Sequence, residues 1–340
     1  MNTSYGAARY DGRPRGTGCC VFDLQKPERI PRRRPLRAAP AAGPVLKCPE
    51  DCIHRGRCIR LPKGSAYTLH TPPNKKQSDS NVIGSRAGRT LRIYDVSAEE
   101  IREKELPPHL ILEQTAGILC IEIFDRDYLK MLCDLRIPVL TVDGFAGMSY
   151  EVAQCDYVSM ENIATSKALT EHMLRQAAKA IGFVGDCRHC NSFYIRWQGY
   201  RLALSDAGLP YDPACCILSD DAEPYGDPVW VETKLRMMSK LPDAFFCAND
   251  FLALHLMTAL KHMGLSIPTD VMAAGFDGSP ESAVVTPALT TASIPSLSIG
   301  RMAAASLLNH IEQPSRPPLF SLAATTPIYR ASTDRQALKE

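Results

Sequence analysis

The chain has 340 residues, a formal net charge of +2, 45% hydrophobic and 22% charged residues. That is an ordinary balance for a globular protein of two domains or two lobes. No run of 18 apolar residues occurs, so no segment reads as a spanning helix, and the opening MNTSYGAARY shows no basic-then-apolar leader. The small net charge averages two unlike parts: residues 1–90 hold 18 Lys/Arg and 6 Asp/Glu, and residues 91–340 hold 21 and 31.

The first ninety residues predict no continuous element. Ten prolines interrupt them, and the basic stretch from Ile30 to Arg37 cannot run on as a helix through Pro31 and Pro35. Cys19 to Leu24 reads as one short strand, and Ala38 to Pro44 as a linker. Three readings stand side by side. One is an irregular, solvated arm. Another is a phosphate-neutralising arm through Arg32, Arg33, Arg34 and Arg37. The third is a metal site of Cys48, Cys52, His54 and Cys58, whose spacing matches no usual zinc pattern. No helix-turn-helix is readable, because that motif needs two amphipathic helices about a short turn.

From residue 91 apolar strands alternate with amphipathic helices. Leu91 to Val96 predicts a strand, and Ser97 starts a helix with Glu99 and Glu100 in its first turn, where they suit the positive end of the dipole. Ile118 to Phe124 is the next strand, Tyr128 to Leu135 a helix, and Ile137 to Val142 a strand. A helix over Glu161 to Ala178 puts Leu169, Met173 and Ala177 on one face. Strand Ile181 to Val184 follows, then a helix from Arg196 to Ala207 that Gly208 and Pro210 end. Strand Ala244 to Ala248 leads into a helix with Ala253, Leu256, Leu260 and Met263 at helical spacing. Strand Val271 to Phe276 precedes a last helix over Ser296 to Ile311. Such alternation predicts parallel sheets with helices on both faces, and the continuous apolar runs suit strands covered twice.

Ligands of open α/β sheets bind beyond the carboxyl ends of the strands. Those ends repeat one chemistry here: Asp125, Asp143, Asp186, Asn249 with Asp250, and Asp277. Singly, each is an ordinary helix cap. Together they make a rim of acceptors suited to a neutral ligand with several hydroxyls, such as a sugar or nucleoside. Arg196 adds a planar fork of donors. Phe193, Tyr194 and Trp197 beside it offer flat faces for stacking, with core packing the plainer role for most of them.

At these residues the sequence resembles the effector-binding domain of the LacI/GalR family of transcriptional regulators. The motifs fall in family order: Ile137-Pro-Val-Leu-Thr-Val-Asp143, Tyr157-Val-Ser-Met-Glu-Asn162, Ala180-Ile-Gly-Phe-Val-Gly185, the spaced Ser192, Arg196, Gly199 and Tyr200, Ala248-Asn-Asp-Phe-Leu-Ala253, and Ile267 to Asp277 followed by Pro287 to Thr291. The resemblance implies an α/β, two-lobed, periplasmic-binding-protein-like (type I) fold over 91–333, each lobe a parallel sheet flanked by helices, while residues 1–90 read as an irregular region and 334–340 as a tail. Lobe one would hold 91–159 and 292–318, and lobe two 160–290 and 319–333. It implies effector contacts at Asp143, Arg196, Asn249 and Asp277, with Asp125, Asp186, Trp197 and Asp250 as further cleft candidates. It also implies operator DNA as a partner where a DNA-binding head is present, and a homodimer.

Two features depart from the family. Residues 1–90 do not read as its head and hinge, and the first strand of lobe one is missing between the strands at 91–96 and 118–124. Without it those strands cannot pair, so a segment such as Cys19 to Leu24 or Tyr67 to His70 must fill the place, or lobe one is incomplete. Thirteen cysteines in a large chain without a visible leader point to a reducing, cytoplasmic location. Cys187-Arg-His-Cys190 reads as loop thiols, with metal, redox or effector use as alternatives. Cys120, Cys133 and Cys247 lie in apolar runs and read as core. No catalytic constellation, cofactor motif or metal site is expected. The first reading is a regulator, or its sensing portion. The alternatives are a sugar-type solute-binding receptor without DNA binding, and an N-terminally aberrant regulator.

Overall fold

The computed structural model describes residues 19–25, 91–149, 152 and 154–335. The arginine cluster at 32–37, the Cys48–Cys58 group, Tyr67 to His70 and residues 336–340 lie outside them. In chain order the first part comprises β1 (Cys19–Gln25), β2 (Leu91–Val96), α1 (Ala98–Glu103), β3 (Thr115–Ile121), α2 (Arg126–Asp134), β4 (Val139–Val142) and β5 (Asp156–Met160). The second comprises α3 (Ile163–Arg175), β6 (Ile181–Val184), α4 (Asn191–Asp206), α5 (Pro228–Arg236), β7 (Ala244–Cys247), α6 (Asp250–His262), β8 (Met272–Ala274), α7 (Pro280–Val284) and β9 (Thr291–Ser293). The chain then returns through α8 (Ser296–Glu312), β10 (Phe320–Ala323) and β11 (Thr326–Ile328).

Lobe one is a six-stranded sheet of order β10-β5-β4-β3-β1-β2. The vacant central place is filled by Cys19–Gln25, the first of the two expected segments. It differs from the expected geometry in direction: β1 runs antiparallel to both β2 and β3, with Cys20 opposite Asp95 on one side and Ile121 on the other. The remaining pairs are parallel. β3 shows why the sheet needs cover on two faces. Ile118 and Cys120 pack with Tyr128, Leu129 and Leu132 of α2, while Leu119 joins Ile299, Ala303 and Leu307 of α8 on the other face. This is the period-two alternation of a strand, with both faces apolar.

Lobe two is built on the parallel sheet β6-β7-β8, every residue of which is buried. α6 covers it with Leu252, Ala253, Leu256, Met257 and Leu260. α3 and α4 cross closely because position 199 is glycine: a Cβ there would meet the Ile163 carbonyl oxygen at 2.5 Å.

Three crossovers join the lobes, after β5, after β9 and between β10 and β11. The third falls later than the expected boundary at 318/319. β10 pairs with β5 through Phe320 to Ala323 and so belongs to lobe one, while β11 pairs with β9. The cause lies in the buried Asp156 at the start of β5. Its carboxylate accepts from the Arg316 guanidinium, from Ser306 Oγ at 2.8 Å and from Leu319 N at 2.9 Å, which brings the returning chain alongside β5.

Candidate functional site

The carboxyl ends of β4, β6, β7 and β8 converge between the lobes. Asp143 follows β4 and has a left-handed backbone, φ 58°, while Asp277 follows β8 with φ 118°. Non-glycine residues at such angles are uncommon and cost about 1–3 kcal/mol each, so the surroundings must hold them there. Asp143 belongs to lobe one, yet its carboxylate accepts from the Ser192 amide at 3.1 Å and from Ser192 Oγ at 2.7 Å, both in lobe two. It thereby caps α4, whose own N-cap residue, Cys190, makes no side-chain capping bond. Beside it the Asn191 amide donates to the Gly144 carbonyl at 2.7 Å, and Asn191 Nδ2 donates to the Tyr157 hydroxyl at 3.0 Å. Asn191 Oδ1 is buried without a hydrogen-bond partner among the described residues. Above this contact, Phe124 of lobe one meets the His189 ring of lobe two edge-on at 4.9 Å.

Arg196 lies one turn further along α4 and is 2% exposed. Every nitrogen of its fork is engaged. Nε donates to Asn162 Oδ1 at the first crossover, Nη1 to the Ala248 carbonyl at 2.7 Å and to Asp277 at 3.0 Å, and Nη2 to Met160 Sδ. The guanidinium also lies 3.8 Å from the Phe276 ring centroid, within cation–π range. Burial pushes the Asp277 carboxyl up to about 7 against the pull of Arg196. Burial likewise raises Asp250 to about 6, opposed by its hydrogen bonds from Thr291 and Ser279.

The structure gathers Asp143, Arg196 and Asp277 at one junction and gives the other candidates narrower places. Asn249 is 7% exposed and caps α6 through Leu252 N. Asp250 ties the start of α6 to Thr291 of β9 and to the Ser279 amide. Asp125 is exposed and caps α2 through Tyr128 N. Asp186 holds its own loop, accepting from the Arg188 and Asp221 amides. Trp197 packs its ring on Tyr194 and Tyr211, beneath the Arg201 guanidinium. Burial raises the thiols of both Cys187 and Cys190, the latter well above the usual range. Cys190 lies within hydrogen-bond distance of Ser192 Oγ.

Sequence reading missed Asn162, Tyr157 and Asn191 as site residues. The first two stood inside a recognised crossover motif, but nothing local marks them as partners of α4. A cavity of about 480 Å³ opens elsewhere, lined by Arg175, Gln176, Ala177, Asp243, Thr269, Asp270 and Arg335. Among the described residues no group of three or more His, Cys, Asp or Glu is placed to hold a metal ion. No described helix is long and apolar enough to cross a membrane.

Comparison with known proteins bears on the whole arrangement. The periplasmic binding protein-like domain matches residues 170–333. The transcriptional repressor PurR of Glaesserella parasuis is 30% identical over 238 residues, 68% of each chain. The transcriptional regulator CelR of Thermobifida fusca is 26% identical over 235 residues, 68% of this chain and 67% of CelR. Among solved structures, a CelR–cellobiose complex superposes with a TM-score of 0.58 at 25% identity, covering 64% of this chain and 66% of that one. A ribose-bound regulator from Enterococcus faecium shares the fold at a TM-score of 0.53 and 22% identity, covering 64% and 79%. These curated relatives are regulators, not enzymes.

Proposed function

Because the chain belongs to the LacI/GalR family of transcriptional regulators, we propose that it senses a small, neutral, hydroxyl-rich effector of sugar or nucleoside class between its lobes. Asp143, Arg196, Asn249 and Asp277 are the contacts in this reading, with Asn191 Oδ1 as an added acceptor. The observation that carries it is the bond pair between Asp143 and Ser192, an acceptor of one lobe closed on donors of the other. A ligand hydroxyl donates to the same carboxylate, so ligand and helix compete for it. The ligand moves the lobes only as far as its affinity differs between their arrangements. Sugars enter the reading through the cellobiose complex and the ribose-bound regulator. Operator DNA enters it as the output of the family where a DNA-binding head is present, through a homodimer in which lobe motion would respace such heads.

A thermal-shift screen of the full chain against pentoses, hexoses, disaccharides and nucleosides tests the binding step. A true effector stabilises by RT ln(1 + [L]/Kd), about 2.7 kcal/mol at a hundredfold excess over Kd. Asp143→Ala is expected to abolish that shift while Ser192→Ala leaves part of it. No stabilisation by any compound in these classes overturns the reading. A gel shift on operator DNA, with and without the stabilising compound, tests the output.

A further inference from the structure

We propose that the cavity at the far pole of lobe two is a second ligand site, built for a small zwitterion of amino-acid type. The proposal goes beyond the effector reading and depends on nothing in the cleft. The cavity measures about 480 Å³, and its wall includes Arg175, Gln176, Asp243, Thr269, Asp270 and Arg335. Asp243 directly precedes β7, Asp270 lies just ahead of β8, and Arg175 and Gln176 end α3. These are the amino ends of the strands, whereas the cleft lies beyond their carboxyl ends. The two sites therefore stand at opposite poles of one lobe. α3 reaches both, since it starts beside Asn162, which holds Arg196, and ends at the cavity.

Two arginines and two aspartates line the wall, so its fixed charges cancel. They do not neutralise one another directly: among the described residues neither arginine forms an ion pair with either aspartate. The backbone holds them apart. Arg335 donates from Nε to the Pro268 carbonyl at 2.8 Å, and from Nη2 to the carbonyls of Asp243 and Asp270 at 3.1 and 3.0 Å. Its own amide donates to Gln176 Oε1 at 3.2 Å. The Asp243 carboxylate accepts from the Lys179 and Ala180 amides at 2.7 and 3.0 Å, and the Asp270 carboxylate from the Ser266 amide at 2.7 Å. Each of these bonds uses Oδ2, so Oδ1 of both aspartates and Nη1 of Arg335 are left to other partners. Arg175 lies 3.9 Å from Glu171 and is 61% exposed at the mouth. Charges of both signs, fixed by main-chain bonds rather than by each other, cost a ligand little reorganisation. The guanidinium forks suit a carboxylate, which they bind with two N–H groups at a time. The aspartates suit an ammonium, which brings three donors. A simple anion meets the aspartates and a simple cation meets the arginines, so a molecule with one charge of each sign matches the wall better than either. Thr269 and Gln176 add neutral hydrogen-bonding groups for a ligand side chain.

The test is a saturation-transfer NMR titration of the full chain with each of the standard L-amino acids, in an amine-free buffer of low salt. At least one should bind saturably, and its deaminated acid and its decarboxylated amine should each bind at least about tenfold more weakly. Arg175→Gln, at an exposed position, and Asp270→Asn, which keeps an oxygen for the Ser266 amide, should each weaken the binding about threefold or more. Asp143→Ala should leave it unchanged, which separates this site from the effector cleft. The absence of saturable binding by any amino acid overturns the proposal. So does equal binding of the acid or the amine, or a loss in Asp143→Ala with Arg175→Gln and Asp270→Asn both unaffected.

Discussion

The two lobes reach the same layered architecture from different lengths of chain. Lobe two draws its sheet from one continuous stretch, β6 to β8, with helices supplied between the strands. Lobe one needs a strand from residues 19–25 at its centre and another from residues 320–323 at its edge. The difference teaches that a shared fold does not imply shared self-sufficiency. In lobe two a missing neighbour is never far along the chain. In lobe one the backbone groups of β3 are satisfied on one side only because a distant segment arrives.

The largest effect expected from this contrast comes from deleting residues 1–25. The deletion removes the strand between β2 and β3, so hydrogen exchange should become fast in the amides of 91–96 and 115–121 and stay slow in β6 to β8. Equal protection of both lobes after the deletion would break the contrast. Next comes Arg196→Ala. It removes a guanidinium that joins lobe two to Asn162 at the crossover and leaves the Asp277 carboxyl buried without its partner. A loss of about 3–5 kcal/mol is expected in denaturant unfolding, the cost of breaking a buried ion pair. A loss under about 1 kcal/mol would show that the junction is not held through this residue.

The smallest effect is the pH dependence of the same junction. A carboxyl raised from 3.8 to about 7 binds its proton more tightly in the folded chain than in the unfolded one. The folded state therefore carries more protons between those pH values, and stability falls as pH rises from about 4 to about 7 and levels off beyond. Asp250, raised to about 6, acts in the same direction over a narrower window. Asp277→Asn should flatten the slope measured by urea unfolding at pH 5 and pH 7.5, leaving the smaller contributions of Asp250, of His189, which is raised, and of His172, which is lowered. An unchanged slope would place the titration elsewhere.

What could be read from sequence follows the same division. β6 and β2 were legible to the residue, because breakers and polar residues frame each run. β3 slid by three residues, from Ile118–Phe124 to Thr115–Ile121, since a strand buried on both faces has no alternation to mark its ends. α4 begins at Asn191, five residues before the expected start at Arg196. Its cap is Asp143, about fifty positions upstream, and no local pattern announces a cap from another lobe. α5, α7 and the short strands β9 to β11 were not foreseen, the strands because only pairing across the crossovers defines them. Of the candidate residues, Asp143 and Asp277 stand out as strand ends and Arg196 through the pattern that resembles the family's, and the structure brings these three to one junction. Asn162, Tyr157 and Asn191 do not stand out, because their part comes from tertiary contact alone.

The direction of β1 has a consequence for how the chain enters lobe one. Cys19 lies opposite Val96 and β1 ends beside Leu91 and Thr115. Whatever precedes Cys19 therefore joins the lobe at the carboxyl ends of β2 and β3, on the side where Asp143 stands. A parallel first strand would receive its upstream chain at the opposite pole. Strand polarity thus acts as a compass: one reversal puts the amino end of β1 at the mouth of the cleft instead of the far pole of the lobe.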